Sequence, residues 1–290
     1  QTYTHAVNQD WTDFSCHQIH FNLKLLRPFG IVDQGPLRRV YPLPIAVTKM
    51  KARMDATLGA DMKKLVIFYG TGGSNLTFPE SSLFRFVESL IAFRSDLAVV
   101  LVGSDACVDD EFVFKSFSHP RFLNLIGQTS ISELVACISL ADYYAGADTG
   151  PTHIASFLNI PLIFFSPLKS QAPSRWGPLS EHVRYLRFDC VPTHQFKGWP
   201  SPAALEKTYT YKHLLDAFLG LEADVTGVPV PPVSEPLQSA GSISSISSQD
   251  TITKQKTILS PPTLQASLTG GALTKTTANP PRAVYPIIPK

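Results

Sequence analysis

The chain has 290 residues, 44% of them hydrophobic, enough to bury a full core, and its composition excludes collagen-like, coiled-coil and disulfide-knot classes. Twenty-five Lys and Arg against 23 Asp and Glu leave a net charge of +2, with no basic block to form a nucleic-acid face. Cys16, Cys107, Cys137 and Cys190 make no CxxC pair or zinc-like cluster, and no apolar run reaches the ~20 residues of a membrane span. The expectations are buried thiols, no metal, no nucleic acid and a cytoplasmic protein.

In chain order, Val7, Trp11, Phe14, Phe21 and Leu25 recur at helical spacing and predict an amphipathic helix over 7–26, stopped by Pro28 and Gly30. Gly35, Pro36, Pro42 and Pro44 predict a turned connection, and a second helix follows over 46–58. From Lys64 onward, short β-rich runs at 65–69, 98–102, 122–126, 142–145, 162–165 and 183–188 alternate with helical periods. That alternation is the pattern of parallel β-α-β units. Runs apolar on both faces, such as 98–102, belong inside a sheet covered by helices on both sides. Between the runs, Leu83, Phe86, Val87, Leu90 and Ile91 mark a helix begun at Pro79, and Ser130 with Glu133 has the spacing of a capping box. A last helix is predicted over 203–221. The fold class is therefore α/β, a Rossmann-like parallel sheet with helices on both faces. Beyond Gly227 the chain turns to Ser, Thr, Pro, Gly and Gln with few apolar clusters, so residues 227–290 are expected to be a disordered tail.

The sharpest chemical feature is Asp148-Thr149-Gly150-Pro151-Thr152-His153-Ile154-Ala155, placed after the run 142–145 and opening a helix. At the carboxyl end of a parallel strand, such a turn offers backbone amides and a helix dipole to a diphosphate. Thr149 can cap the helix, Gly150 lets an anion approach the backbone, and Pro151 fixes the first helical position. His153 can pair with a phosphate oxygen, and Asp148 can accept from sugar hydroxyls. The alternative is an ordinary capped helix carrying a surface histidine. Gly70-Thr71-Gly72-Gly73-Ser74 after the first run is a second amide-rich loop, and it reads equally well as a plain strand-to-helix turn.

The blocks Leu125 to Leu134, Ala141-Asp142, Asp148 to Ala155, Ile160-Pro161 and Arg175-Trp176-Gly177-Pro178, in this order and spacing, resemble glycosyltransferase family 9, the heptosyltransferases of lipopolysaccharide assembly. His5-Ala6-Val7 and Leu25-Leu26-Arg27-Pro28-Phe29-Gly30-Ile31 are similar to the end of that family's first domain. The resemblance implies a two-domain GT-B architecture. Residues 1–62 would be the remnant of an acceptor domain with its linker, and 63–226 the nucleotide-sugar-binding domain. It implies inverting transfer from an ADP-linked donor, without cofactor or metal, to a glycan or lipid-linked acceptor, with peripheral contact at the inner membrane face left open. By position, Asp148 would contact the donor sugar, Thr149, Gly150 and His153 its diphosphate, and Thr129 and Ser130 the nucleotide. Thr71 and Gly72 would lie near phosphate or acceptor. A carboxylate from Asp109, Asp110 or Glu111 would hold the ribose, unless those residues form a negatively charged first helical turn. Trp176 is read as a packing residue.

Two departures stand out. Where the family commonly has a lysine before Phe78-Pro79, this chain has Asn75-Leu76-Thr77. One charge-assisted bond of ~1.5–3 kcal/mol is then missing, about ten-fold or more in donor affinity unless Lys169 or Arg175 compensates. The general base is expected upstream of Gln1, because Asp10 and Asp13 fall on the wrong segment to act as one. The competing expectations are therefore a relative that binds a nucleotide sugar or acts as a scaffold without transferring, and, further off, a sugar-nucleotide epimerase.

Overall fold

The computed structural model describes residues 7, 15–32, 40–71, 75–166, 173–187 and 202–228. Six parallel strands, β1 (Lys63–Tyr69), β2 (Leu97–Gly103), β3 (Phe122–Asn124), β4 (Tyr143–Ala147), β5 (Leu162–Phe165) and β6 (Val183–Leu186), form one sheet in the order β3-β2-β1-β4-β5-β6. The helices are α1 (Gln18–Lys24), α2 (Pro44–Leu58), α3 (Glu80–Phe93), α4 (Ile131–Ser139), α5 (Gly150–Phe157), α6 (Pro173–Trp176), α7 (Pro202–Thr208) and α8 (Tyr211–Thr226).

The period of two along each strand splits the core into two clusters. Leu65 and Ile67 of β1, Val99 and Leu101 of β2, and Ile163 and Phe165 of β5 face α3 and α8, meeting Leu83, Phe86, Leu90, Leu214 and Phe218. Val66, Val100, Tyr144 and Phe164 face the other way, onto Met50, Met54 and Leu58 of α2 and Ala136 and Cys137 of α4. Both faces are covered, which is why these strands are apolar at every position. Each fully buried Leu, Ile or Phe here contributes roughly 1.5–3 kcal/mol relative to exposure. Met50, Met54 and Leu58 belong to this core although they precede residue 63.

The expected helix over 46–58 starts two residues earlier, at Pro44, whose missing amide donor is harmless there. Ser130 and Glu133 make the anticipated reciprocal capping box. The helix expected over 203–221 is two helices instead. Tyr209 breaks it, and Thr210, hydrogen-bonded to His213, caps a fresh one that runs to Gly227 in left-handed conformation (φ 70°). Of the helix expected over 7–26, α1 covers 18–24 and Gly30 (φ 75°) closes the turn after it; residues 8–14 lie outside the described residues, as do Cys190 and the tail from 229. Cys137 is buried, and burial pushes its thiol up to about 12. Cys16 and Cys107 are half-buried, so the expectation of uniformly buried thiols is corrected for these two.

Candidate functional site

In this strand order the connection from β1 runs to one side of the sheet and that from β4 to the other, so the loops after these neighbouring strands part and leave a crevice at their carboxyl ends. The two loops are joined across it. Asn75, 3% exposed, donates from Nδ2 to the Asp148 carbonyl at 3.3 Å while its Oδ1 accepts from the Leu76 amide at 2.8 Å. Thr71 Oγ1 donates to the Asn75 carbonyl at 2.8 Å, and Thr77 Oγ1 accepts from the Gly70 amide at 3.3 Å. Gly70 has φ +108°, and a Cβ on it would sit 2.6 Å from that of Cys107, so only glycine fits this bend. Gly72, Gly73, Ser74 and Lys169 lie outside the described residues.

The turn after β4 is held from beneath. Thr152 is fully buried; its hydroxyl donates to the Ala147 carbonyl at 2.5 Å and meets the Tyr144 hydroxyl at 3.1 Å. The Asp148 amide donates to the Phe165 carbonyl at 3.2 Å, tying the turn to β5. Thr149 occupies the N-cap position with extended backbone, but its hydroxyl donates back to the Ala147 carbonyl at 3.3 Å and caps nothing, which corrects the expectation of a threonine cap. Gly150 is the first helical residue and Pro151 the second, one place later than expected. The Thr152 and His153 amides return to the Thr149 carbonyl at 3.1 and 3.3 Å. The Gly150 amide therefore has no acceptor among the described residues, and a Cβ at Gly150 would meet nothing within 4 Å. An uncapped helix start facing open space is what an anion requires. His153 Nε2 lies 3.3 Å from Asp148 Oδ1, with side-chain exposures of 32% and 10%, so the imidazole and the carboxylate orient one another at the mouth of the turn.

The other predicted residues are distributed around this crevice. Ser130 is exposed at the start of α4, but its amide and hydroxyl are both engaged with Glu133, whose carboxyl Lys49 and Ser130 hold down at about 2. Thr129 beside it is half-buried. Asp109 and Glu111 lie between two 3-10 turns, Asp105–Cys107 and Val113–Lys115, with the Glu111 amide donating to Asp109 Oδ1 at 3.1 Å. No α-helix starts there, so the reading of these acids as a first helical turn falls. A residue that sequence reasoning missed is Asp105. It lies two residues past β2, exposed, next to Gly127, at the strand-end position where ribose-binding carboxylates sit in dinucleotide folds.

Arg175, proposed as a compensating cation, is 1% exposed. Its Nε donates to Gln18 Oε1 at 2.8 Å, and its guanidinium lies 4.5 Å from the Phe21 ring centre. It packs α1 against α6. His17, at the start of α1, extends the same contact: Ile19 donates its amide to Nδ1 at 3.2 Å, which leaves Nε2–H to donate to the Gly177 carbonyl at 2.9 Å. Burial, opposed by the Gly177 bond and assisted by the His153 and His20 charges, lowers the pKa of His17. Nothing local in the sequence marks this residue, whose partner is 160 positions away.

A cavity of about 330 Å³ bounded by Lys51, Asp55, Lys64 and Asp142 lies at the opposite end of the sheet, where β1 and β4 begin. Ligands of open parallel sheets bind at the other end, so this cavity is no part of the site. Among the described residues no helix is long and apolar enough to cross a membrane, and no three His, Cys, Asp or Glu are grouped to hold a metal.

The family description of glycosyltransferase family 9 (heptosyltransferase) matches residues 5–199, more than half of the chain. The chain belongs to glycosyltransferase family 9. This family 9 chain is 24% identical over 200 residues to a Haemophilus influenzae protein named as a glycosyltransferase, covering 66% of the chain and 57% of that protein. It is 27% identical over 179 residues to lipopolysaccharide heptosyltransferase 3 of Escherichia coli, covering 56% of the chain and 50% of that protein. The chain thus spans about half the length of these relatives. The crystal structure of a glycosyl transferase of family 9 from Veillonella parvula superposes with a TM-score of 0.57 at 15% identity, over 75% of this chain and 62% of that one, which shows the shared GT-B-type fold.

Proposed function

We propose that the chain forms the donor-binding part of a glycosyltransferase that moves a sugar, heptose-like, from a nucleoside diphosphate, ADP by resemblance, to a glycan or lipopolysaccharide-type acceptor with inversion. The observation that carries this is the pairing of two loops at the sheet's switch point around a helix start that no group among the described residues caps. In this reading the diphosphate lies against the Gly150 amide and the dipole of α5, with His153 contributing a hydrogen bond to a phosphate oxygen. Asp148, held by His153, accepts from sugar hydroxyls, and Thr149 and Thr71 flank the phosphates. Thr129 and Ser130 border the nucleoside, and Asp105 is a stronger ribose acceptor than Asp109 or Glu111 because it stands at the strand end itself. The proton of the acceptor hydroxyl goes to a base of the first domain, and no metal or cofactor enters the scheme. The enzyme would work on the cytoplasmic side, at the membrane face where a lipid-linked acceptor is presented.

Titration calorimetry with ADP tests this. His153→Ala is expected to weaken ADP binding about ten-fold, the loss of one charge-assisted bond. Asp148→Ala is expected to leave ADP binding in place while abolishing the additional affinity of an ADP-sugar over ADP. Failure of every nucleoside diphosphate to bind at millimolar concentration overturns the reading. Two observations favour a second reading, a binding protein without transfer: the segment Asn75-Leu76-Thr77 stands where the family commonly has a lysine, with Asn75 buried, and Arg175 is committed to α1. ADP binding without sugar release in a transfer assay on the full-length protein would select it.

A further inference from the structure

Outside the switch-point crevice, a cavity of about 410 Å³ opens between the start of α3 and the start of α8. Ser81, Ser82 and Arg85 of α3 form one wall, Thr210 and Lys212 the other, with Glu206 of α7 between them. It lies at the carboxyl edge of the sheet, beyond an aromatic stack. Phe78, just before α3, packs on Phe165 at the end of β5 (4.5 Å between ring centres), and Tyr209, just before α8, packs on the same Phe165 (4.8 Å).

Three features of this cavity are those of a phosphate pocket. Pro79 gives α3 no side-chain cap, and the Glu80 carboxylate that could serve the first turn is drawn instead to the Val113 amide at 2.6 Å. The first-turn amides and the positive end of a helix of 14 residues are thus left to solvent or a ligand. Ser82, 6% exposed, lines the cavity, and its hydroxyl has no hydrogen-bond partner among the described residues. It can donate to a ligand oxygen in the cavity. Arg85, spread over the Tyr211 ring at 5.4 Å, and Lys212 bring basic groups to the lining beside the carboxylate of Glu206, which Ser81 holds by a hydrogen bond of 2.7 Å. Guanidinium, ammonium, hydroxyl and helix amides together are the donor set that phosphate oxygens select.

We infer that this cavity is a second anion site, distinct from the diphosphate crevice, that takes the phosphate group of a phosphorylated sugar. The volume exceeds that of a phosphate alone and leaves room for the attached sugar ring. The inference goes beyond the donor reading and does not depend on it. An anionic lipid headgroup carries the same chemistry, so the test includes both sources.

The experiment follows the backbone amide resonances of Ser81, Ser82, Arg85 and Lys212 in the chain saturated with ADP, or without ADP if none binds. Inorganic phosphate, glucose 6-phosphate, and vesicles of phosphatidylglycerol in phosphatidylcholine are added separately. Phosphate and glucose 6-phosphate are expected to shift these amides saturably, the sugar phosphate more tightly. Arg85→Gln and Ser82→Ala are each expected to weaken that binding about ten-fold while ADP affinity stays unchanged. Arg85 is exposed, so its variant reports on the ligand rather than on folding. Amides that do not respond to either phosphate, a response that both variants leave intact, or a response to vesicles alone overturns the inference. Loss of ADP binding in the parent chain with the phosphate response preserved would sink the donor reading and leave this one standing.

Discussion

Replacing Asn75 with alanine removes the hydrogen bond that joins the loop after β1 to the turn after β4, and a second one that braces the loop itself. The Leu76 amide and the Asp148 carbonyl lose their partner at a position only 3% exposed. Two net hydrogen bonds of about 1 kcal/mol each, with little compensating water at such a buried site, set a destabilisation of about 2–3 kcal/mol. At a urea dependence of ~2–3 kcal/mol/M the unfolding midpoint falls by roughly 1 M. Tryptophan fluorescence and circular dichroism through a urea titration measure it, and calorimetry with ADP on the same samples measures the site. ADP affinity should fall together with stability, because the carbonyl released belongs to the residue that begins the anion turn. Asn75→Asp keeps the acceptor for Leu76 but sets a carboxylate oxygen against the Asp148 carbonyl, so its ADP affinity should be lower still. A variant with an unchanged midpoint and unchanged ADP affinity would refute the claim that this side chain holds the crevice in shape.

Gly150→Ala separates a ligand cradle from scaffolding. Its Cβ would meet nothing within 4 Å and the residue opens a helix, so stability should hold or rise by ~0.4–1 kcal/mol while ADP binding weakens by steric approach; unchanged binding in calorimetry would mean that no phosphate comes near that amide. For His17 the folded-state pKa lies below the ordinary 6.5, so the unfolded chain takes up the proton first as pH falls. Its contribution to stability is complete above that value and declines as pH drops toward the folded pKa. Urea midpoints measured between neutral and mildly acid pH should show this step, and His17→Ala should lack it; an identical pH profile in the variant would rule it out.

The sheet was legible because its strands are short apolar runs separated by helical periods, and burial on both faces leaves that pattern no other use. The Asp148 turn was legible for a similar reason, since a strand end, a glycine and a proline in the first helical turn together restrict the backbone to one kind of junction. What could not be read were long-range side-chain commitments. The segment Asn75-Leu76-Thr77 reads as the loss of a lysine, and its Asn75 is a bridge to a residue 73 positions on. Arg175 looked like a spare cation and is buried against α1. The break at Tyr209 also escaped notice, because the apolar period continues through it and only the Thr210 and His213 cap shows where one helix ends and the next begins.

The Asp148 amide needs the Phe165 carbonyl, and its own carbonyl needs Asn75, so the crevice joins the end of β1 to β4 and β5, which are synthesised only after β2 and β3. A chain emerging from the ribosome with β1, β2 and β3 already paired has no pocket at the switch point. That pocket comes into being only when β4 inserts beside β1 and β5 closes behind it. Any ligand of that crevice therefore cannot chaperone the early folding.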